Sequence, residues 1–142
     1  MIRFERRFHV PKQPVEALQL IADFRHLQSW DDSVESVKPL DSVFSQGARY
    51  AVQVRFSGNL IDMEYTVTVY EPGVRAVLTG VAAKATAIDI IEVTEMDSGT
   101  QVDYTAEIQL AFPYSLFDRL LALQFKNTVD HAVDGLKRFL SA

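Results

Sequence analysis

The chain of 142 residues has no cysteine, which excludes disulfides and thiol nucleophiles and leaves only histidines and carboxylates to hold a metal. Histidine is scarce too. His9, His26 and His131 lie far apart and in none of the HxH or HExxH spacings that bring two imidazoles together, so neither a metal nor another cofactor is expected. No stretch approaches the ~20 consecutive apolar residues that span a bilayer. The amino terminus also lacks the apolar segment of a signal peptide. The expectation is a cytoplasmic protein without stable membrane insertion. Positive charge is in deficit: 14 Lys and Arg against 19 Asp and Glu give a net charge of -5, which repels a phosphate backbone. No nucleic-acid partner is expected.

What is present is a globular composition, 48% apolar against 23% charged, in a length that suits one domain over 1–142. Residues 2–10 alternate, with Ile2, Phe4, Phe8 and Val10 on one face and Arg3, Glu5, Arg7 and His9 on the other. Arg6 falls on the apolar side. Pro14 then opens a helix in which Val15, Leu18 and Ile21 recur at helical spacing, broken near Asp23 into two short pieces.

Strand patterns follow. The run from Ser33 degrades at Pro39, and "SQG" leads into a strand with Tyr50, Val52, Val54 and Phe56 on one face. "SGNL" supplies a Gly-Asn hairpin turn into a strand over 60–70, which turns Ile61, Met63, Tyr65, Val67 and Val69 inward. Turns at "EPGV" and "EMDSGT" separate strands near 74–81, 86–96 and 100–110. Consecutive hairpins imply an antiparallel meander. The carboxyl end changes to a helical period, with a stripe through Phe117, Leu121, Phe125, Val129, Ala132 and Leu136, a box-like start at Ser115 and Asp118, and a bend at Gly135.

The order of strand, paired short helices, six strands and one long helix resembles the helix-grip fold of the START and Bet v 1-like (SRPBCC) superfamily, in its polyketide cyclase/dehydrase branch. The resemblance rests on "VPKQPVEALQLIADFRHLQSW", "FSQGARYAVQV", "GTQVDYTAEIQL" and the closing "AVDGLKRFL", and covers nearly the whole chain. It implies an α+β domain in which a curved antiparallel sheet wraps a long C-terminal helix around an elongated cavity. The fold supplies a pocket and not a chemistry.

Two functions follow. One is binding of a hydrophobic or aromatic small molecule, such as a lipid or polyketide. The other is a cyclase- or dehydratase-like enzyme with an inward acid-base group. The expected ligand-binding residues are Tyr65, Val67, Tyr104, Ala106, Phe117, Leu121 and Phe125, whose apolar faces converge. Trp30, the only tryptophan, seals a junction or touches the pocket mouth. Asp89 faces inward if it groups with Ile91 and Val93, and outward if Ile88 and Ile90 do. Inward, it would be the acid-base candidate, with Arg75 or Arg55 as partner. Asp31 and Asp32 read as solvated charges and His26 as a residue near the cavity opening; Asp134 and Arg138 read as an i,i+4 pair. Leu116, Leu120 and Leu123 lie off the helical stripe, so a gate formed by the short helices around Phe24 and Leu27, or a second copy, should cover them. Monomer and homodimer both remain open.

Overall fold

A computed structural model describes residues 1–142. The alternation at the start gives β1 (Ile2–Val10), with Ile2, Phe8 and Val10 buried. Arg6 is held on the inward face by an ion pair to the terminal helix, its Nε donating to Asp130 Oδ1 at 2.7 Å. α1 (Pro14–Ala22) buries Leu18 and Ile21, whereas Val15, expected on the same stripe, is 56% exposed in the first turn. Asp23 ends α1 and caps a 3-10 helix, Phe24–Ser29. Its carboxylate accepts from the Arg25 backbone N–H at 3.2 Å, from the Arg25 guanidinium at 2.6 Å and from the Tyr50 hydroxyl at 3.1 Å. Burial pushes the Asp23 pKa up, but these bonds outweigh it and hold the carboxyl below its ordinary value.

The remaining strands are β2 (Val34–Pro39), β3 (Arg49–Phe56), β4 (Asn59–Glu71), β5 (Arg75–Val81), β6 (Ala85–Met96) and β7 (Gly99–Leu110). They form one antiparallel sheet with β1, in the order β1-β7-β6-β5-β4-β3-β2. The meander therefore runs from β2 to β7, and β1 closes against its last strand.

Two local readings of the sequence are corrected. Phe56 pairs with Asn59, so the hairpin turn is Ser57-Gly58, with φ of 51° and 78°, and not Gly-Asn. β4 carries a bulge between Val67, which pairs with Leu78, and Val69, which pairs with Val77. The extra residue inverts the alternation beyond Thr68. Tyr70, and not Val69, consequently packs onto the core beside Phe44, with ring centroids 4.8 Å apart.

The terminal helix α2 (Asp118–Ser141) has 24 residues and is roughly 36 Å long at 1.5 Å per residue. The expected box of Ser115 and Asp118 does not form, because residues Tyr114–Phe117 are a separate 3-10 turn and α2 begins after it. Helix continues unbroken through Gly135. That glycine serves contact instead: a Cβ there would collide with the carbonyl oxygen of Trp30. α2 packs on β1 and α1 and buries Val133, Leu136 and Leu140, which gives the curved sheet gripping a helix that the sequence implied. No helix is long and apolar enough to cross a membrane.

Candidate functional site

A cavity of about 720 Å³ lies between the inward face of the sheet and the first half of α2, and 24 of its 33 lining residues are apolar. β4, β6 and β7 supply one wall and α2 the other. The β3–β4 hairpin closes the side: Phe56 stacks on Phe125 with centroids 4.3 Å apart, and the Ser57 hydroxyl donates to Gln124 Oε1 at 2.8 Å.

Of the residues expected from sequence to meet a ligand, Trp30, Tyr65, Asp89, Tyr104, Ala106, Leu121 and Phe125 line this cavity, and Val67 and Phe117 do not. Val67 is fully enclosed in the packed core, where its backbone N–H donates to Ala48 O at 2.9 Å. Phe117 is 53% exposed. It belongs to the 3-10 turn, where the helical stripe has not yet begun.

The register of Asp89 is settled by its neighbour. It pairs with Ala106, which faces inward, so the carboxylate turns into the cavity. Burial and then the charge of Asp31 push its pKa up to about 7, against the Tyr104 phenol, a diagonal cross-strand neighbour that favours the charged form. Neither expected cation reaches it. Arg55 binds Glu35 and the Asp32 carbonyl, and Arg75 lies 3.4 Å from Glu71.

Asp31 is the residue that sequence reasoning misplaced. It precedes β2 in a turn, so strand alternation does not govern it. Its Oδ1 accepts from the Ser33 backbone N–H at 3.0 Å and from the Ser33 hydroxyl at 2.6 Å. That fixes the side chain against the cavity wall. Burial raises its pKa above the ordinary value, with the Ser33 bonds acting in the opposite direction. Asp32 is exposed, as expected.

The two phenols are set by their backgrounds. Tyr65 lies across Gly80, its cross-strand partner, where an added Cβ would stand 2.6 Å from the ring. Its edge meets Phe24 at 5.0 Å. Tyr104 meets Trp30 edge-on at 6.4 Å. Burial, followed by the Asp89 charge, raises both phenol pKa values well above the usual range. Trp30 itself is 4% exposed, and its indole N–H has no hydrogen-bond partner.

Several other expectations are overturned. Phe24 and Leu27 are buried in the core and do not cover α2, so no gate forms over Leu116, Leu120 and Leu123, which remain exposed. His26 sits against Phe139, with centroids 5.8 Å apart, and is not among the lining residues. Asp134 and Arg138 make no ion pair; that role on α2 falls to Lys126 and Asp130 at 3.1 Å. The one lining cation, Lys84, donates to the Tyr114 hydroxyl at 2.9 Å.

The fold recurs in solved structures. TTHA0849 from Thermus thermophilus superposes with a TM-score of 0.75 at 18% identity, over 96% of this chain and 94% of that one. The Zhui aromatase/cyclase from a Streptomyces species gives 0.77 at 12% identity, over 97% and 92%. Ara h 8.0201 gives 0.71 at 8% identity, over 97% and 96%. At these identities the likeness is one of fold. No curated protein matches by sequence. The model of the family described as polyketide cyclase / dehydrase and lipid transport matches residues 1–140, and with the sheet, the gripped helix and the cavity between them, the chain belongs to that family.

Proposed function

We propose that this protein binds a hydrophobic or aromatic small molecule, a lipid, polyketide or similar compound, in the cavity between sheet and α2. The observation that carries this reading is the largely apolar cavity of about 720 Å³, within the ~300–1,000 Å³ of small-molecule pockets. Its walls are mainly hydrocarbon, so transfer of an apolar ligand from water drives binding. A few polar groups at Asp31, Asp89, Tyr65 and Tyr104 orient the ligand.

The alternative is an enzyme in which Asp89 acts as acid or base on a polyketide-like substrate. The proton-transfer group is there. An oxyanion developing beside it would have no paired cation, and the donors on that wall, the Tyr65 and Tyr104 phenols and the Trp30 indole N–H, would act against two carboxylates. Binding therefore takes precedence. Ala106→Phe tests it by filling the space between β7 and α2. The variant should lose at least about tenfold in affinity for an apolar fluorescent dye while keeping a cooperative melt. Met63→Trp, from β4 in the same wall, is the second variant. Undiminished dye binding by both would overturn the reading.

A further inference from the structure

The cavity lining is enclosed in one part and open in another. Ser57, Leu60, Lys84 and Tyr114 stand exposed, whereas Trp30, Tyr65 and Tyr104 are 4%, 8% and 8% exposed. Two donors in the enclosed part have nothing to bind. The Trp30 indole N–H has no hydrogen-bond partner, and the Tyr65 hydroxyl makes no hydrogen bond within the chain. Donors left unmade in a dry wall cost free energy that an acceptor on a ligand would restore. The Tyr65 ring lies over Gly80 of β5, which lets it reach from β4 toward Asp89 on β6; after burial, the Asp89 charge is the next influence on its phenol.

Asp89 supplies the opposite function on the same wall. It has no ion pair, and only the Tyr104 phenol favours its charged form, so it has accepting capacity to spare. Asp31 is not its equal: Ser33 holds its Oδ1 through two hydrogen bonds, and the Arg55 charge already acts on it. The head group of a ligand therefore meets donors and an acceptor together, with no cation. An ammonium only donates and leaves Trp30 and Tyr65 unmatched. A carboxylate only accepts, and adds a negative charge to those of Asp89 and Asp31. An ether or ketone accepts but gives Asp89 nothing. A hydroxyl does both and carries no charge.

We infer that this cavity selects a neutral apolar molecule with a terminal hydroxyl, which enters hydroxyl first, donates its proton to Asp89 and accepts from the donors Tyr65 and Trp30, while its hydrocarbon body extends toward Leu60 and Tyr114. This rests on the reading of the cavity as a container for apolar molecules and names the head group and the orientation it selects. Fatty acids and amines of the same body are discriminated against, because each leaves one side of the donor–acceptor set unmatched. The body is limited to what about 720 Å³ holds.

The test compares phenylbutanol, phenylbutyl methyl ether, phenylbutylamine and phenylbutyrate, which share a body and differ in the head group. Each is titrated by calorimetry into the whole protein at about pH 8, where Asp89 has released its proton. The alcohol should bind at least about tenfold more tightly than the ether and the amine, and the carboxylate most weakly. Asp89→Leu removes the group that takes the hydroxyl proton and should bring the alcohol down to the ether. Tyr65→Phe keeps the ring over Gly80 and removes a donor, so it should weaken alcohol and ether alike and leave their ratio intact. The ranking on the wild type decides even if a variant fails to fold. If the ether or the amine matches the alcohol, if the folded variants keep the wild-type affinities, or if an apolar dye binds and none of the four does, the inference is overturned and the container reading stands. If neither the four nor the dye binds, the container reading falls and the inference with it.

Discussion

Asp89 shows what one side chain can do to the stability of a whole domain. Its pKa of about 7 stands above the ordinary 3.8. Between those values the folded chain keeps a proton that the unfolded chain has released. Stability therefore falls as pH rises through that window, and the penalty is complete above it. At ~1.4 kcal/mol per pH unit the full loss is on the order of 4 kcal/mol, an upper figure because solvent entering the cavity screens the charge. Asp89→Asn removes this titration. The variant should match the wild type near pH ~4 and exceed it by at least ~1 kcal/mol at about pH 8, as read from denaturant midpoints at the two pH values. Asp31 shifts in the same direction and keeps part of the slope in the variant. Equal stability of variant and wild type at both pH values would mean that the carboxylate is solvated.

At the scale of elements, Gly135 couples α2 to the chain segment that carries Trp30. In an exposed helix, alanine in place of glycine gains about 1 kcal/mol. Here the added methyl meets the Trp30 carbonyl oxygen, which is backbone and cannot turn aside. Gly135→Ala should therefore destabilise by about 1–3 kcal/mol and shift the Trp30 emission. A gain in stability from urea titration would show that the two segments are not in contact. This junction also marks where the sequence stops being legible. β1, the first part of β4 and β7 follow the period of two so closely that their inward residues are read off directly, and the terminal helix follows from its stripe. The bulge near Thr68 was hidden because one inserted residue changes no residue type, only the phase. Asp31 was hidden because it lies in a turn, where neither period applies. Asp89 was ambiguous because apolar residues stand on both faces of its strand and only pairing with Ala106 decides between them. The cavity residues Tyr65, Tyr104 and Leu121 were legible as inward positions. That they border a void, while Val67 does not, depends on how neighbouring side chains fill space.

Over the whole molecule, the 3-10 turn before α2 and the start of α2 present Leu116, Leu120 and Leu123 to solvent at 71%, 69% and 68% exposure, near the exposed Phe112 in sequence. None is held by an intramolecular partner element, so Leu120→Glu should alter unfolding free energy by less than about 0.5 kcal/mol. Urea titration at two protein concentrations checks this. A larger loss that varies with concentration would mean that a second copy covers the face. The two ends of the sheet carry a different consequence, for self-assembly. An open sheet has two free edges, each a template for another strand. β2 is a poor template: it has six residues, a register shift between Val34 and Ser36, and proline at its end. β1 is nine residues long and pairs with β7 without any shift, and its outward side chains include Arg3, Glu5 and Arg7. Fibrillar growth would need both edges to accept a strand, and only one is regular enough to do so. Growth of the sheet by strand addition at both edges is therefore disfavoured by the irregularity of β2.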